Sequence, residues 1–322
     1  MKKFLAEIVM FLTLACSLLM IITYTTDKGL QRSNHRYYQS WNDIYHGAVN
    51  AGVLIQGNSH AWVQVDPAII DSAMHMSSYN LGLNAYLFDI QYARYKFYRA
   101  HNLKPRLIVQ CIDLFTFDKS GELIDKPQFL PYLSDSSIAS ATEKTGMPQW
   151  YRYLPFLKYQ EQATLVNIGV QRFWQPIRQD TERLYKGYRG EERQWDEGMF
   201  NWLMEQNPHY IPEINGRVFN QFKTFLAGCE KDTIQVVMVL TPHYHRFTET
   251  VVMLPEYRQL MRLTANKYGA TFLDFTTDSL CMDSTKFYNA THLNKTGAEI
   301  FSGKLAAELV KEGKKRNVKG EK

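Results

Sequence analysis

Five short stretches of this chain gather hydroxyl, imidazole, carboxamide and glycine amide groups. They are Gly57-Asn58-Ser59-His60, Asn80-Leu81-Gly82-Leu83-Asn84, Asp113, Thr241-Pro242-His243-Tyr244-His245 and Asn289-Ala290-Thr291-His292-Leu293-Asn294. Together they hold the inventory of acyl transfer: a nucleophile, a base and N–H donors for an oxygen that becomes negative. A serine hydroxyl is inert near neutral pH until a base takes its proton in the transition state. His60 has two readings, a contact to substrate or oxyanion, or simple packing under the loop. His243, His245 and His292 could also be read as a metal cluster, but no carboxylate or cysteine accompanies them at ligand spacing. No metal or organic cofactor is expected.

These groups converge only if the elements before them form one sheet. Apolar runs at Val53–Gln56, Ser77–Asn80, Leu107–Ile112, Ile234–Leu240 and Thr271–Phe275 read as buried strands. Helical patterns over Tyr86–His101, Ile214–Leu226 and Leu254–Tyr268 separate several of them, and a last helix is expected from about Gly297 to Lys311. Thr296 and Glu299 fit a capping box at its start, and Gly313 is placed to end it. Strands alternating with helices predict an α/β fold, a five-stranded parallel sheet with helices on both faces. In such a sheet, ligands bind beyond the carboxyl ends of the strands, where each polar stretch begins. Between the third and fourth strands, about 118–212, lies a stretch rich in tyrosine that holds Trp150, Trp174, Trp195 and Trp202. It reads as a mostly helical insertion, either core and interface or a sugar-stacking lid.

A serine at the tip of the first strand, with N-x-x-H-L-N before the last helix, resembles the SGNH (GDSL-like) hydrolase superfamily. The resemblance is closest to its membrane-anchored branch, the DltD-like and alginate-O-acetylation-like proteins of bacterial envelopes, with G-x-S-H in place of G-D-S. It covers about 52–113 and 234–309 and implies a flavodoxin-like sheet. Carried over by position, Ser59 is the nucleophile and its own N–H one oxyanion donor. Gly82 supplies a second oxyanion amide, and His292 is the general base. Two departures stand out. The third strand runs into Asp113-Leu114-Phe115 where the family has an oxyanion Asn, for which Asn84 is the candidate substitute. The Asp expected three residues before the base is Asn289, which accepts a hydrogen bond but brings no charge. In a serine-protease triad that exchange cost about 10⁴ in turnover. Either Asp274, Asp278 or Asp283 replaces it, a Ser–His dyad suffices, or catalysis is lost. The α/β-hydrolase elbow G-x-S-x-G is absent, since Ala61 occupies its second glycine position.

The formal charge of +5 over 322 residues belongs to the two ends. Residues 311–322 form a basic tail, residues 1–33 are mildly basic, and the body between is nearly neutral. It therefore offers no track for a phosphate backbone, and nucleic acid is not an expected partner. A neutral body rich in Tyr and Trp suits uncharged sugars better. After Lys2 and Lys3, an apolar run from Phe4 to Tyr24 is broken only by Glu7, long enough to cross a bilayer. It reads as an uncleaved signal-anchor over 1–28, against a cleaved signal peptide or a lipoprotein processed at Cys16. The rest, 29–322, reads as one domain. Lys2 and Lys3 keep the N-terminus cytoplasmic, so the body is expected to be periplasmic, on a bacterial cytoplasmic membrane. Cys111, Cys229 and Cys281 read as buried free thiols. Taken with these features, the resemblance implies acyl-ester chemistry on an envelope or exported polysaccharide, as O-acyltransferase or esterase, with a membrane-bound O-acyltransferase as partner. The alternative is a catalytically silent SGNH-like module that binds polysaccharide or scaffolds an export complex.

Overall fold

Five parallel strands form one sheet in the order β2-β1-β3-β4-β5, with β1 Val53–Gln56, β2 Ser78–Asn80, β3 Leu107–Ile112, β4 Gln235–Leu240 and β5 Thr271–Asp274. The computed structural model describes residues 1–35, 38–119, 123–175, 184–206 and 208–320, with backbone alone for 315–320. The last two residues of the basic tail therefore lie outside the described residues. The strand bounds match the expected runs to within a residue at each end. All four residues of β1 and all six of β3 are buried, as apolar strands covered on two faces should be.

The helices are, in chain order, α1 Lys2–Leu30, α2 Gln39–Tyr45, α3 Ser59–Gln64, α4 Pro67–Met74, α5 Phe88–His101 and α6 Ser136–Glu143. They continue as α7 Ala163–Trp174, α8 Glu197–Gln206, α9 Gly216–Lys231, α10 His245–Thr248, α11 Leu254–Lys267 and α12 Lys295–Gly320. A short antiparallel ribbon, β6 Phe287–Asn289 with β7 His292–Leu293, precedes α12. Chain tracing separates two units. One comprises Met1–Ala48, Lys96–His101 and Gly121–Arg183; the other comprises Val49–Tyr95, Asn102–Ser120 and Leu184–Lys322 and contains the sheet. The stretch read as an insertion is thus divided between them. Among its described residues it is made of α6, α7, α8 and short 3₁₀ turns at Lys126–Tyr132, Gln149–Arg152 and Pro155–Tyr159.

Alternation along the strands sorts the sheet core. Val53 and Ile55, Val109 and Cys111, and Val237 and Val239 share one face with Ala61, Val65 and Ile70 and with Ala298, Phe301, Leu305 and Leu309 of α12. Leu54, Ile108 and Met238 point the other way and are equally buried. On that face Gln110 donates to Gln91 of α5, and α5 meets α9 through the rings of Phe88, Phe222 and Phe225. The register aligns Ile55 with Asn80, Gln56 with Gln110, Ile112 with Leu240 and Leu240 with Asp274, so all five carboxyl ends reach one edge. Strand order reverses between β1 and β3, the position at which sheets of this kind bind ligands.

Two expectations about α12 are corrected. Its cap is Asn294, whose Oδ1 accepts the Gly297 N–H at 3.0 Å, rather than a Thr296–Glu299 box. Gly313 does not stop the helix, which runs on to Gly320. A mid-helix glycine costs only about 1 kcal/mol against alanine, and the Lys and Arg residues after it are good helix formers.

Helix α1 is long and apolar enough to span a membrane. Its apolar stretch is exposed, and burial begins at Thr23 and includes Thr26, Gly29 and Leu30. Asp27 accepts from Lys158 Nζ at 2.7 Å and from the Tyr159 hydroxyl at 2.6 Å. None of the four cysteines is in a disulfide, and Cys111, Cys229 and Cys281 are buried.

Candidate active site

Gly57 ends β1 at φ +153, where a side chain would meet Ala61 Cβ at 2.8 Å and Cys111 Cβ at 2.9 Å. Only glycine allows the chain to leave the strand this way. The next residue, Asn58, caps α3 by accepting the His60 N–H at 3.0 Å. Ser59 therefore opens a helix, and its N–H is among the first-turn amides a helix leaves without an internal partner. At the far end of the chain, the β6–β7 turn delivers His292. Ser59 Oγ and His292 Nε2 are 2.7 Å apart.

Asn289 orients the His292 ring. Its Oδ1 accepts the backbone N–H groups of Thr291 at 3.0 Å and His292 at 2.8 Å, which fixes the amide's orientation. The same oxygen lies 3.1 Å from His292 Nδ1, and the Thr291 hydroxyl lies 2.9 Å from that nitrogen. An amide oxygen only accepts, so the contact to Asn289 calls for the proton on Nδ1, the tautomer that leaves the Nε2 lone pair facing the Ser59 hydroxyl. This is the arrangement of a base poised to take a proton from serine.

A second layer lies against that imidazole. The His60 ring stacks on His292 with centroids 4.3 Å apart and planes 10° apart, and His243 lies 5.0 Å from His60. His60 Nδ1 meets Asp113 Oδ2 at 2.6 Å. Asp113 is fully buried and also accepts from the Thr116 hydroxyl at 2.7 Å, the Phe115 N–H at 2.9 Å and the Asn58 side-chain amide. Burial pushes the Asp113 carboxyl up, but His60 and the hydrogen bonds from His60, Asn58 and Thr116 outweigh it and hold it well below the usual carboxylate range. Burial lowers His292 well below the ordinary imidazole value, with His60 and His243 adding to the shift and Asp113 opposing it. Burial likewise brings His243 down to about 3; its Nδ1–H donates to the Thr241 carbonyl at 3.0 Å.

Aromatic and cationic groups border the site. Tyr288 stacks on His292 at 5.4 Å, and the Arg193 guanidinium lies 4.6 Å over the Tyr288 ring. Trp195 packs on Tyr244 at 4.8 Å. The segment bearing Arg189, Arg193 and Trp195 is tied down by its backbone: Arg189 N–H donates to Trp62 O and Asp196 N–H to Tyr288 O.

Ser59, His292 and Asn289 thus come together. His60 takes the second of its two readings, packed beneath the loop and 2% exposed. Gly82 departs from its expected role, because its N–H is donated to Asn80 Oδ1 at 2.8 Å. Asn84 is exposed in the following turn. None of the three candidate carboxylates reaches His292: Asp274 pairs with Arg258 at 2.9 Å, Asp278 pairs with Lys304, and Asp283 caps Thr285. His245 pairs with Glu249 at 2.8 Å, and among the described residues no group of three His, Cys, Asp or Glu is arranged to hold a metal ion. The sequence marks Asp113 only as the end of a strand and does not reveal its pairing with His60. Both groups stand at strand ends, and their pairing follows from the adjacency of β1 and β3 in the sheet. Compared with known proteins, the chain matches no family model and no curated protein.

Proposed function

We propose that this chain is an extracytoplasmic acyl-ester enzyme of SGNH type, with a flavodoxin-like sheet, acting on an envelope or exported polysaccharide. The observation that carries this reading is the 2.7 Å approach of Ser59 Oγ to a His292 Nε2 whose lone pair faces it. The strand order 2-1-3-4-5 and a site at the carboxyl edge of β1 support it.

In the proposed reaction Ser59 Oγ attacks the ester carbonyl while His292 Nε2 takes its proton. The Ser59 N–H faces the developing oxyanion, and His292 returns the proton to the leaving alkoxide. A sugar hydroxyl or water then resolves the acyl-enzyme by the reverse sequence. A sugar acceptor makes the protein an O-acyltransferase and water makes it an esterase. Transfer is favoured because the proteins it resembles work with membrane-bound O-acyltransferases, and α1 would anchor the chain in the same membrane as such a partner.

The competing reading is a silent polysaccharide-binding module, and two observations favour it: Asn289 brings no charge, and the Gly82 amide is already donated. A fluorophosphonate probe separates the two. Labelling of the full chain that disappears in Ser59→Ala, and falls at least about 10²-fold in His292→Gln, supports the enzyme. A folded chain that takes no label sinks it.

A further inference from the structure

We propose that the unit built on α1 rests directly on the bilayer, with Tyr24, Tyr153, Leu154 and Trp174 seated in the lipid headgroup region. The inference rests on α1 spanning the membrane and is independent of any chemistry at Ser59.

The junction between span and unit has no slack. Phe4–Ile22 covers about 28 Å at about 1.5 Å per residue, one hydrocarbon thickness. The same unbroken helix buries Thr23, Thr26, Gly29 and Leu30, while Tyr24 between them stays exposed. Asp27 is clamped by Lys158 and Tyr159, and Gln31 donates to the Pro131 carbonyl at 2.7 Å. Gly29 and Gly169 of α7 meet backbone to backbone, with room for no side chain on either. A helix gripped within two turns of its exit holds whatever surrounds residues 23–32 at the membrane face.

What surrounds them is aromatic. The Phe173 ring meets Tyr24 edge-on at 6.3 Å, and the next residue, Trp174, is 75% exposed. Tyr153, 77% exposed, and exposed Leu154 immediately precede the turn that supplies Lys158 and Tyr159. Rings of this kind, apolar in body and polar at the tip, are stabilised at the headgroup level. Arg32, exposed beside Phe173, adds a cation for anionic headgroups. The aromatics of the 118–212 stretch therefore have two uses: Trp195 borders the Ser59 site, and Trp174 and Tyr153 face lipid.

The test uses the full chain reconstituted in phosphatidylethanolamine–phosphatidylglycerol vesicles that contain lipids spin-labelled near the headgroup. The labelled lipid should quench a component of tryptophan emission that is shielded from aqueous iodide. Trp174→Phe should cut that quenched fraction at least about twofold. A Trp174 component open to iodide and untouched by labelled lipid overturns the proposal while leaving the anchor intact. Release of the chain from these vesicles by alkaline carbonate overturns it together with the anchor. Failure of fluorophosphonate labelling would bear on neither.

Discussion

At Ser59 and His292 the distance suits proton transfer, and the weak point of the proposed chemistry is charge. Asn289 orients the ring but leaves the imidazolium uncompensated, while the buried carboxylate of Asp113 is committed to His60. Replacing Asn289 with Asp keeps both backbone N–H bonds, because a carboxylate oxygen accepts them as well as an amide oxygen does. The expected outcome for Asn289→Asp is fluorophosphonate labelling at least about tenfold faster, against the roughly 10⁴ that the reverse change cost in a serine protease. An unchanged rate would mean that another group already compensates the ring. The pH profile follows from the direction of the His292 shift. A base works in its neutral form, and a lowered pKa keeps it neutral further into acid. Labelling should therefore stay flat from about pH 8 to about pH 6 and fall only well below the ordinary imidazole range. The groups facing His292 in this range are His60, His243, Asp113 and Arg193. A midpoint near the ordinary imidazole value would argue against a buried base.

Among the elements, the turn from β1 into α3 carries the site. Gly57 brings the chain off the strand so that Asn58 can cap α3 and Ser59 can face the ribbon. Gly57→Ala would place a Cβ against Ala61, Cys111 Cβ and the Cys111 carbonyl in a backbone conformation that side chains rarely adopt. It should destabilise the fold by about 1–3 kcal/mol in urea unfolding. Labelling should fall further than the lost stability explains, because Ser59 is displaced from His292. Wild-type labelling in a folded Gly57→Ala protein would show that the turn does not aim the serine.

For the whole molecule, the ion pair between Asp27 and Lys158 joins a candidate membrane helix to the unit it enters. The Lys158 side chain is only 6% exposed, so Asp27→Ala leaves a buried cation without its carboxylate. A loss of about 3–5 kcal/mol is expected in denaturant unfolding of the full chain in detergent. A loss under about 1 kcal/mol would place this pair with weak surface bridges.

Local pattern alone marked the strands, the apolar N-terminal helix and the helices α5, α9, α11 and α12, while the Ser59–His292–Asn289 set was picked out through the resemblance to the SGNH superfamily. Hydrophobic period and strand-end polarity are written in neighbouring residues, and a parallel sheet gathers those ends on one edge whatever lies between. Tertiary structure alone decided the rest. The Gly82 amide faces Asn80 because the β2 turn closes on itself, and Asp113 serves His60 because β1 and β3 are adjacent. Asp274, Asp278 and Asp283 are held by Arg258, Lys304 and Thr285, so none turns to His292. The cap of α12 moved to Asn294 because the ribbon delivers the chain there. Each of these depends on which distant groups meet, and a linear sequence names the donors and acceptors without saying how they pair.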